Sequence, residues 1–292
     1  MECIPPFQHS PFHPNLIHSL IFIKLWGTSE RMNTTAMLID SHCHLDHPAF
    51  DSDRTAIIGA CNKLHIGALI LPGVTTTGWR LALTLSHQHP SLYTALGLHP
   101  LFSSQHPSDG CQQLEQQLQQ HPEVVAVGEI GLDYYPKNYD RALQQQLFSN
   151  QLLIAGRYHK PLLLHVRKAH QQVLELLKQQ SHYGGIVHAF SGSYEQASEY
   201  IDAGFLIGVG GVVTRPNAHK LHRVVQQIPL SSIALETDAP DLPPSWAQGE
   251  RNSPLHLPQI AQQIADIRGQ PTKEVIEQTT HNVQQCLRLN VD

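Results

Sequence analysis

Apolar residues along this chain gather in short runs, each bounded by Gly, Pro or Asp and followed by a longer amphipathic stretch. The short runs have strand length, and the longer stretches repeat their apolar positions at helical spacing. The pattern predicts strands over 38–42, 68–71, 92–98, 124–130, 161–165, 185–188, 205–209 and 233–236. It predicts helices over 53–64, 139–158, 171–179, 194–202, 218–227, 254–267 and 272–287, with Ser52 as the N-cap of the first. Strand and helix alternate, which predicts an α/β fold with a parallel sheet. Eight strands favour a closed (β/α)8 TIM barrel in a single domain over an open sheet.

Residues 1–36 stand outside this alternation. They carry Pro5, Pro6, Pro11 and Pro14 and no periodic pattern. They are expected to be an N-terminal appendage, the result of a translation start placed too far upstream, with the barrel confined to 37–292. Their apolar segment, 16–26, is short for a signal or a span and is interrupted by His18 and Lys24.

Hydrophobic residues make up 41% of the chain and charged residues 15%, which is a globular rather than a disordered balance. The net charge of −5 and the absence of a Lys/Arg run mean that bulk charge does not announce nucleic acid. The five cysteines are scattered and form no CxxC pair. That excludes a disulfide framework and a thiolate zinc site, and fits a reducing, cytoplasmic setting. No apolar run is long enough for a membrane helix, and no obligate protein partner is implied. The Gln-rich stretches 112–120 and 144–146 read as solvated helix faces.

Candidate chemistry sits at the strand ends. His42-Cys43-His44 ends the first strand, Glu129 the fourth, His165 the fifth and His188 the sixth, while Asp238 follows the eighth. A parallel barrel gathers its strand ends around one pit, so ligands far apart in sequence would meet there. Residues two apart on a strand share a face, so His42 and His44 point together into the mouth and Cys43 points away. A carboxylate such as Glu129 inside a barrel is costly to bury unless it is paired or metal-bound. His87-Gln88-His89 has the same spacing as His42-Cys43-His44, but it lies at a helix end before Pro90 and reads as surface.

The set of four histidines, Glu129 and Asp238 therefore suits two divalent ions, Zn, Mn or Co, with Mg preferring fewer imidazoles. Asp238 and Glu129 are the expected catalytic carboxylates, with Glu236 supporting from the same face as Asp238. His99, Tyr134, Arg167, Lys168 and Gly210 are the expected substrate contacts. Asp133 and Tyr134 read as a loop after Glu129. Gly208, Gly210 and Gly211 suit either a phosphate-binding backbone or close packing.

The motifs DSHCHLD (40–46), ALGLHP (95–100), VGEIGLDYY (127–135), LLLHVR (162–167), VHAFSGS (187–193), IGVGG (207–211) and LETDAPDLP (235–243) occur in this order. Together they resemble the TatD family of metal-dependent deoxyribonucleases, and within it the YjjV-like branch, over about residues 37–290. The resemblance implies an amidohydrolase-like barrel. It implies one metal on His42, His44, Glu129 and Asp238 and another on Glu129, His165 and His188, with Glu129 bridging. It also implies DNA as substrate and phosphodiester hydrolysis from a 3′ end. Residues 1–36 have no counterpart in the family pattern.

Two other readings keep the metals. One is an ester or amide hydrolase of the same fold, acting for example on aminoacyl-RNA, since a barrel does not fix the bond cut. The other is a non-catalytic metal-binding module, which the open His/carboxylate set argues against because structural zinc sites are closed and rich in Cys.

Overall fold

The computed structural model describes residues 36–290. Eight strands lie side by side in chain order, every neighbouring pair parallel. They are β1 (Leu38–Asp40), β2 (Ile66–Pro72), β3 (Leu92–Leu96), β4 (Ala126–Asp133), β5 (Leu162–Arg167), β6 (Gly185–Val187), β7 (Phe205–Val209) and β8 (Ile233–Leu235). The connecting helices are α1 (Arg54–Lys63), α2 (Thr76–Gln88), α3 (Gly110–Gln120), α4 (Arg141–Arg157), α5 (His170–Lys178), α6 (Tyr194–Asp202) and α7 (His219–Gln227). After β8 come α8 (Leu257–Arg268) and α9 (Thr272–Leu287). This is a single (β/α)8 barrel, as the alternation predicts. The expected appendage at 1–36 lies outside the described residues, apart from Ala36. Among the described residues no helix is long and apolar enough to cross a membrane.

The ends of the first and last strands meet through backbone bonds and one side chain. Ser41 N–H donates to the Leu235 carbonyl at 2.9 Å. The buried Asp40 carboxylate accepts from Thr237 N–H at 3.0 Å and from the Thr237 hydroxyl at 2.6 Å. The carboxylate thus supplies acceptors that a regular ladder would take from backbone carbonyls.

Two apolar layers follow from the period-2 pattern. Ile39, Ala68, Ile70, Ala95, Ala126, Leu163, Ile186 and Ala234 point inward and fill the barrel. Their alternation of small and large side chains lets the layers interdigitate. The opposite strand faces, with Leu38, Leu69, Leu96, Val127, Leu164 and Ile207 among them, pack against the helices. Val283, Leu287 and Leu289, at the C-terminal end of the described chain, join the inner layer. They plug the end where the strands begin, so the other end is free to hold polar groups.

The Gln-rich α3 buries Leu114 and Leu118, and its glutamines take the outer positions. Ser52 is not the N-cap of α1. Asp53 holds that place without a side-chain bond to the helix, because Arg251 engages its carboxylate at 3.0 and 2.6 Å. Strand 92–98 stops at Leu96, and β4 runs on to Asp133. The β4–β5 register shifts between Val127 and Ile130, so Glu129 leaves the regular ladder. Its N–H donates instead to the Gly73 carbonyl at 3.0 Å. A Cβ on Gly97 would stand 2.7 Å from the Gly128 carbonyl carbon, so only glycine lets β3's end pass this irregular backbone.

Candidate metal centre

Glu129 lies at the centre of the mouth, buried, with each oxygen facing a different set of imidazoles. Oε2 is 3.2 Å from His42 Nε2 and 3.5 Å from His44 Nε2. Oε1 is 3.0 Å from His99 Nε2, 2.9 Å from His165 Nδ1 and 3.1 Å from His188 Nε2. Asp238 Oδ1 closes the first set, 3.6 Å from His42 Nε2 and 3.7 Å from His44 Nε2. The structure therefore brings together all six residues expected as ligands, and adds His99 to them.

Local backbone explains how separate strand ends achieve this. His42 and His44 lie just past the hydrogen-bonded part of β1, where Cys43 N–H donates to the Ile70 carbonyl at 3.0 Å and His44 N–H to the Ala239 carbonyl at 2.8 Å. Those bonds keep the two rings on one face and send Cys43 into the apolar layer under the helices. Asp238 sits in the left-handed region at φ 58° and donates its N–H to the His42 carbonyl at 2.8 Å. Asp is among the few non-glycine residues that visit this region readily.

The donor set fits divalent cations. His42 Nε2 and His44 Nε2 stand 3.3 Å apart while both face the same carboxylate oxygen. Two neutral imidazoles cannot both offer lone pairs there without a proton or a cation between them. The His42 and His188 rings stack at 3.8 Å. Several imidazoles with carboxylates and no thiolate suit Zn, Mn or Co. One carboxylate with an imidazole set on each oxygen is the arrangement that lets two ions share it.

In the metal-free chain, protons take the place of that charge. Burial pushes the Glu129 carboxyl up, but the surrounding imidazoles more than reverse this and hold it well below the ordinary range. Burial works against protonation of His188 and His44, yet the charges of Glu129 and Asp238 raise them to about 10 and about 9. His42 and His99 are driven down, chiefly by burial, and stay neutral. Burial raises Asp238 to about 6 against the pull of His188 and His44.

A second layer orients the rings. His165 turns Nδ1 to Glu129 and Nε2 to Asp133 Oδ2 at 3.0 Å. Asp133 is not in a loop after Glu129. It is the last residue of β4, fully buried, with its N–H bonded to Gln144 Oε1 at 2.9 Å. The sequence carried a signal for it, since 129, 131 and 133 share strand parity. Asp40 is tied to His42 directly, accepting from its N–H at 3.2 Å. Glu236 lies behind His188, 3.8 Å from its Nδ1, and accepts from Ala189 N–H at 2.6 Å. A Cβ on Gly208 would meet Glu236 Oε2 at 2.4 Å, and one on Gly210 would meet the Glu236 backbone oxygen at 3.2 Å. Close packing around Glu236 thus uses both glycines.

The expected substrate residues fall in two groups. His99 is a partner of Glu129, buried, with Nδ1 accepting from Leu101 N–H at 3.1 Å. Tyr134, Arg167 and Lys168 lie where β4 and β5 end. The Tyr134 ring stacks on Tyr139 at 5.0 Å, with Arg141 over it at 4.5 Å. Arg167 lies over the Tyr135 ring at 3.6 Å, with Lys168 at 4.9 Å.

A parallel barrel that gathers imidazoles around a buried carboxylate at its strand C-termini has the form of a metal-dependent hydrolase. Comparison with known proteins agrees. Residues 39–288 match the family model described as TatD related DNase. The chain is 38% identical over 246 residues to the uncharacterized metal-dependent hydrolase YjjV of Escherichia coli (strain K12), covering 84% of this chain and 95% of that protein. It is 32% identical over 256 residues to the uncharacterized metal-dependent hydrolase YabD of Bacillus subtilis (strain 168), covering 87% and 100%. The crystal structure of YjjV, a TatD homolog from Escherichia coli K12, superposes with a TM-score of 0.84 at 36% identity, over 86% of this chain and 98% of that one. The chain is a metal-dependent hydrolase and belongs to the TatD related DNase family.

Proposed function

We propose that this chain hydrolyses phosphodiester bonds of DNA, working from a 3′ end, with two divalent ions at the barrel mouth. The observation that carries this reading is the division of Glu129, with His42 and His44 on one oxygen and His165 and His188 on the other. His42, His44, Glu129 and Asp238 would hold one ion, and Glu129, His165 and His188 the other. When bound, such ions would supply an activated water and polarise a phosphoryl oxygen.

The chain's own groups do the rest. Asp238 lies at the solvent side of the cluster and accepts the proton of the attacking water through Oδ1. Glu129 stays ionised among the imidazoles and fixes both halves of the centre. Asp133 bonds to His165 Nε2 and so turns its Nδ1 inward, and Glu236 sets a carboxylate 3.8 Å behind His188 Nδ1. Arg167 and Lys168 offset the charge of the substrate phosphates, and the Tyr135 ring beneath them steadies both cations.

The test is a nuclease assay on defined single- and double-stranded DNA, labelled at either end, with metal-reconstituted protein. Shortening from the 3′ end is expected with Zn, Mn, Co or Mg restored, and none with Glu129→Ala. Equal activity in a rigorously purified Glu129→Ala protein would overturn the mechanism. Turnover of small esters but not of DNA would overturn the substrate.

A further inference from the structure

A second ligand cluster lies at the opposite end of the barrel. His87 is in the last turn of α2, and His121 is the C-cap of α3. Helices in this fold run antiparallel to the strands, so both histidines stand where strands begin, remote from Glu129 and the mouth. Glu123 follows His121 by two residues and leads into β4. His87 Nε2 and His121 Nδ1 each lie 2.9 Å from one and the same oxygen, Glu123 Oε1. The three ligand atoms lie within 4.8 Å of one another. Zinc bonds of about 2.0–2.2 Å in a tetrahedron hold ligand atoms roughly 3.4 Å apart. Small side-chain rotations reach that spacing from the observed positions.

The loops that carry these residues are pinned. Lys160 Nζ donates to the Pro122 carbonyl at 2.8 Å and to the Val124 carbonyl at 2.5 Å, one on each side of Glu123. Val124 N–H donates to the His121 carbonyl at 3.1 Å, and His121 N–H to the Gln117 carbonyl at 2.8 Å. On the other side, His89 N–H bonds to the Leu85 carbonyl at 2.9 Å and Leu92 N–H to the His89 carbonyl at 2.9 Å. The side chains of His87 and Glu123 are about half exposed, at 55% and 47%, so solvent can fill the remaining coordination position.

We propose that His87, His121 and Glu123 form a binding site for a divalent transition-metal ion, with zinc the fitting ion for two imidazoles, one carboxylate and one open position. The ion ties the α2–β3 connection to the α3–β4 connection. It acts on stability rather than on hydrolysis, since the strand-start end of a barrel bears on stability. The His87-Gln88-His89 sequence contributes one ligand, not two, because His89 is not in the cluster.

The experiment is calorimetric titration of zinc into metal-free full-length protein, wild type against His87→Ala/His121→Ala. The wild type is expected to take up one equivalent more than the double variant. Cobalt(II) in the same site is expected to give a visible absorption band that the double variant lacks. The double variant is expected to keep its metal-dependent hydrolysis. With the mouth saturated, further zinc is expected to raise Tm in the wild type only. Equal zinc uptake by the two proteins, or an extra equivalent that survives in the double variant, overturns the site. Circular dichroism of both metal-free proteins checks that the substitutions leave the fold intact.

Discussion

Asp238 and Glu236 both follow β8 and share a neighbour in His188, yet their surroundings differ. Asp238 reaches the solvent edge of the cluster, whereas Glu236 is sealed behind it. Burial raises the Glu236 carboxyl to about 8, with His188 pulling the other way. Loss of a general base costs about 10²–10⁴-fold. Asp238→Asn is therefore expected to lower kcat by that amount, read in a DNA-cleavage assay across pH. Loss of a group that orients a ligand costs about 10–100-fold in metal affinity. Glu236→Gln is expected to show that loss by metal titration and to recover activity at high metal, which Asp238→Asn will not. His99 shows how a residue can be placed correctly and its partner missed. It lies three residues beyond β3, and only the folded chain sets it 3.0 Å from Glu129.

At the scale of elements, α9 closes the barrel and its polar side chains terminate strands. Asn282 Nδ2 donates to the Leu230 and Ile233 carbonyls at 2.8 and 2.9 Å, and the Thr280 hydroxyl donates to the Met37 carbonyl at 2.6 Å. Asn282→Ala leaves two carbonyls without that donor and is expected to cost about 1–3 kcal/mol in chemical denaturation. On α6, Ser193 and Gln196 form a reciprocal capping box. Ser193→Ala is expected to cost about 0.5–2 kcal/mol, measured in the same way. The bounds of α6 and α9 agree with the periodic pattern residue for residue. Caps and apolar spacing are local, so short windows of sequence carry them. The N-cap of α1 escaped for the opposite reason. Arg251, which takes the Asp53 carboxylate, is remote in sequence.

Across the whole molecule, stability depends on groups buried around the mouth as well as in it. His170 packs against Phe190 and Tyr200, and burial lowers it to about 4 from 6.5. Its folded value is depressed, so the stability it supports is complete above about pH 6.5 and is lost as pH falls through 4. His170→Phe is expected to flatten the fall of Tm between those values, followed by thermal melts at each pH. Chelation acts on the same scale. Metal bound to the folded mouth stabilises by mass action, so removal is expected to lower Tm in the wild type and much less in Glu129→Ala.

What the sequence determined by itself was the alternation of strands and helices, the barrel it implies and the identity of the residues at the strand ends. Those features rest on periodicity and residue type, which neighbouring positions express without help from distant ones. The tertiary structure alone decided which imidazole faces which oxygen of Glu129, that His165 leans on Asp133, and that Asp40 closes the barrel on Thr237. It also brought His87 beside Glu123 while leaving His89 out of the cluster. Each of these contacts joins separate strands or helices, and their distances are set by barrel closure and strand register, which no local pattern encodes.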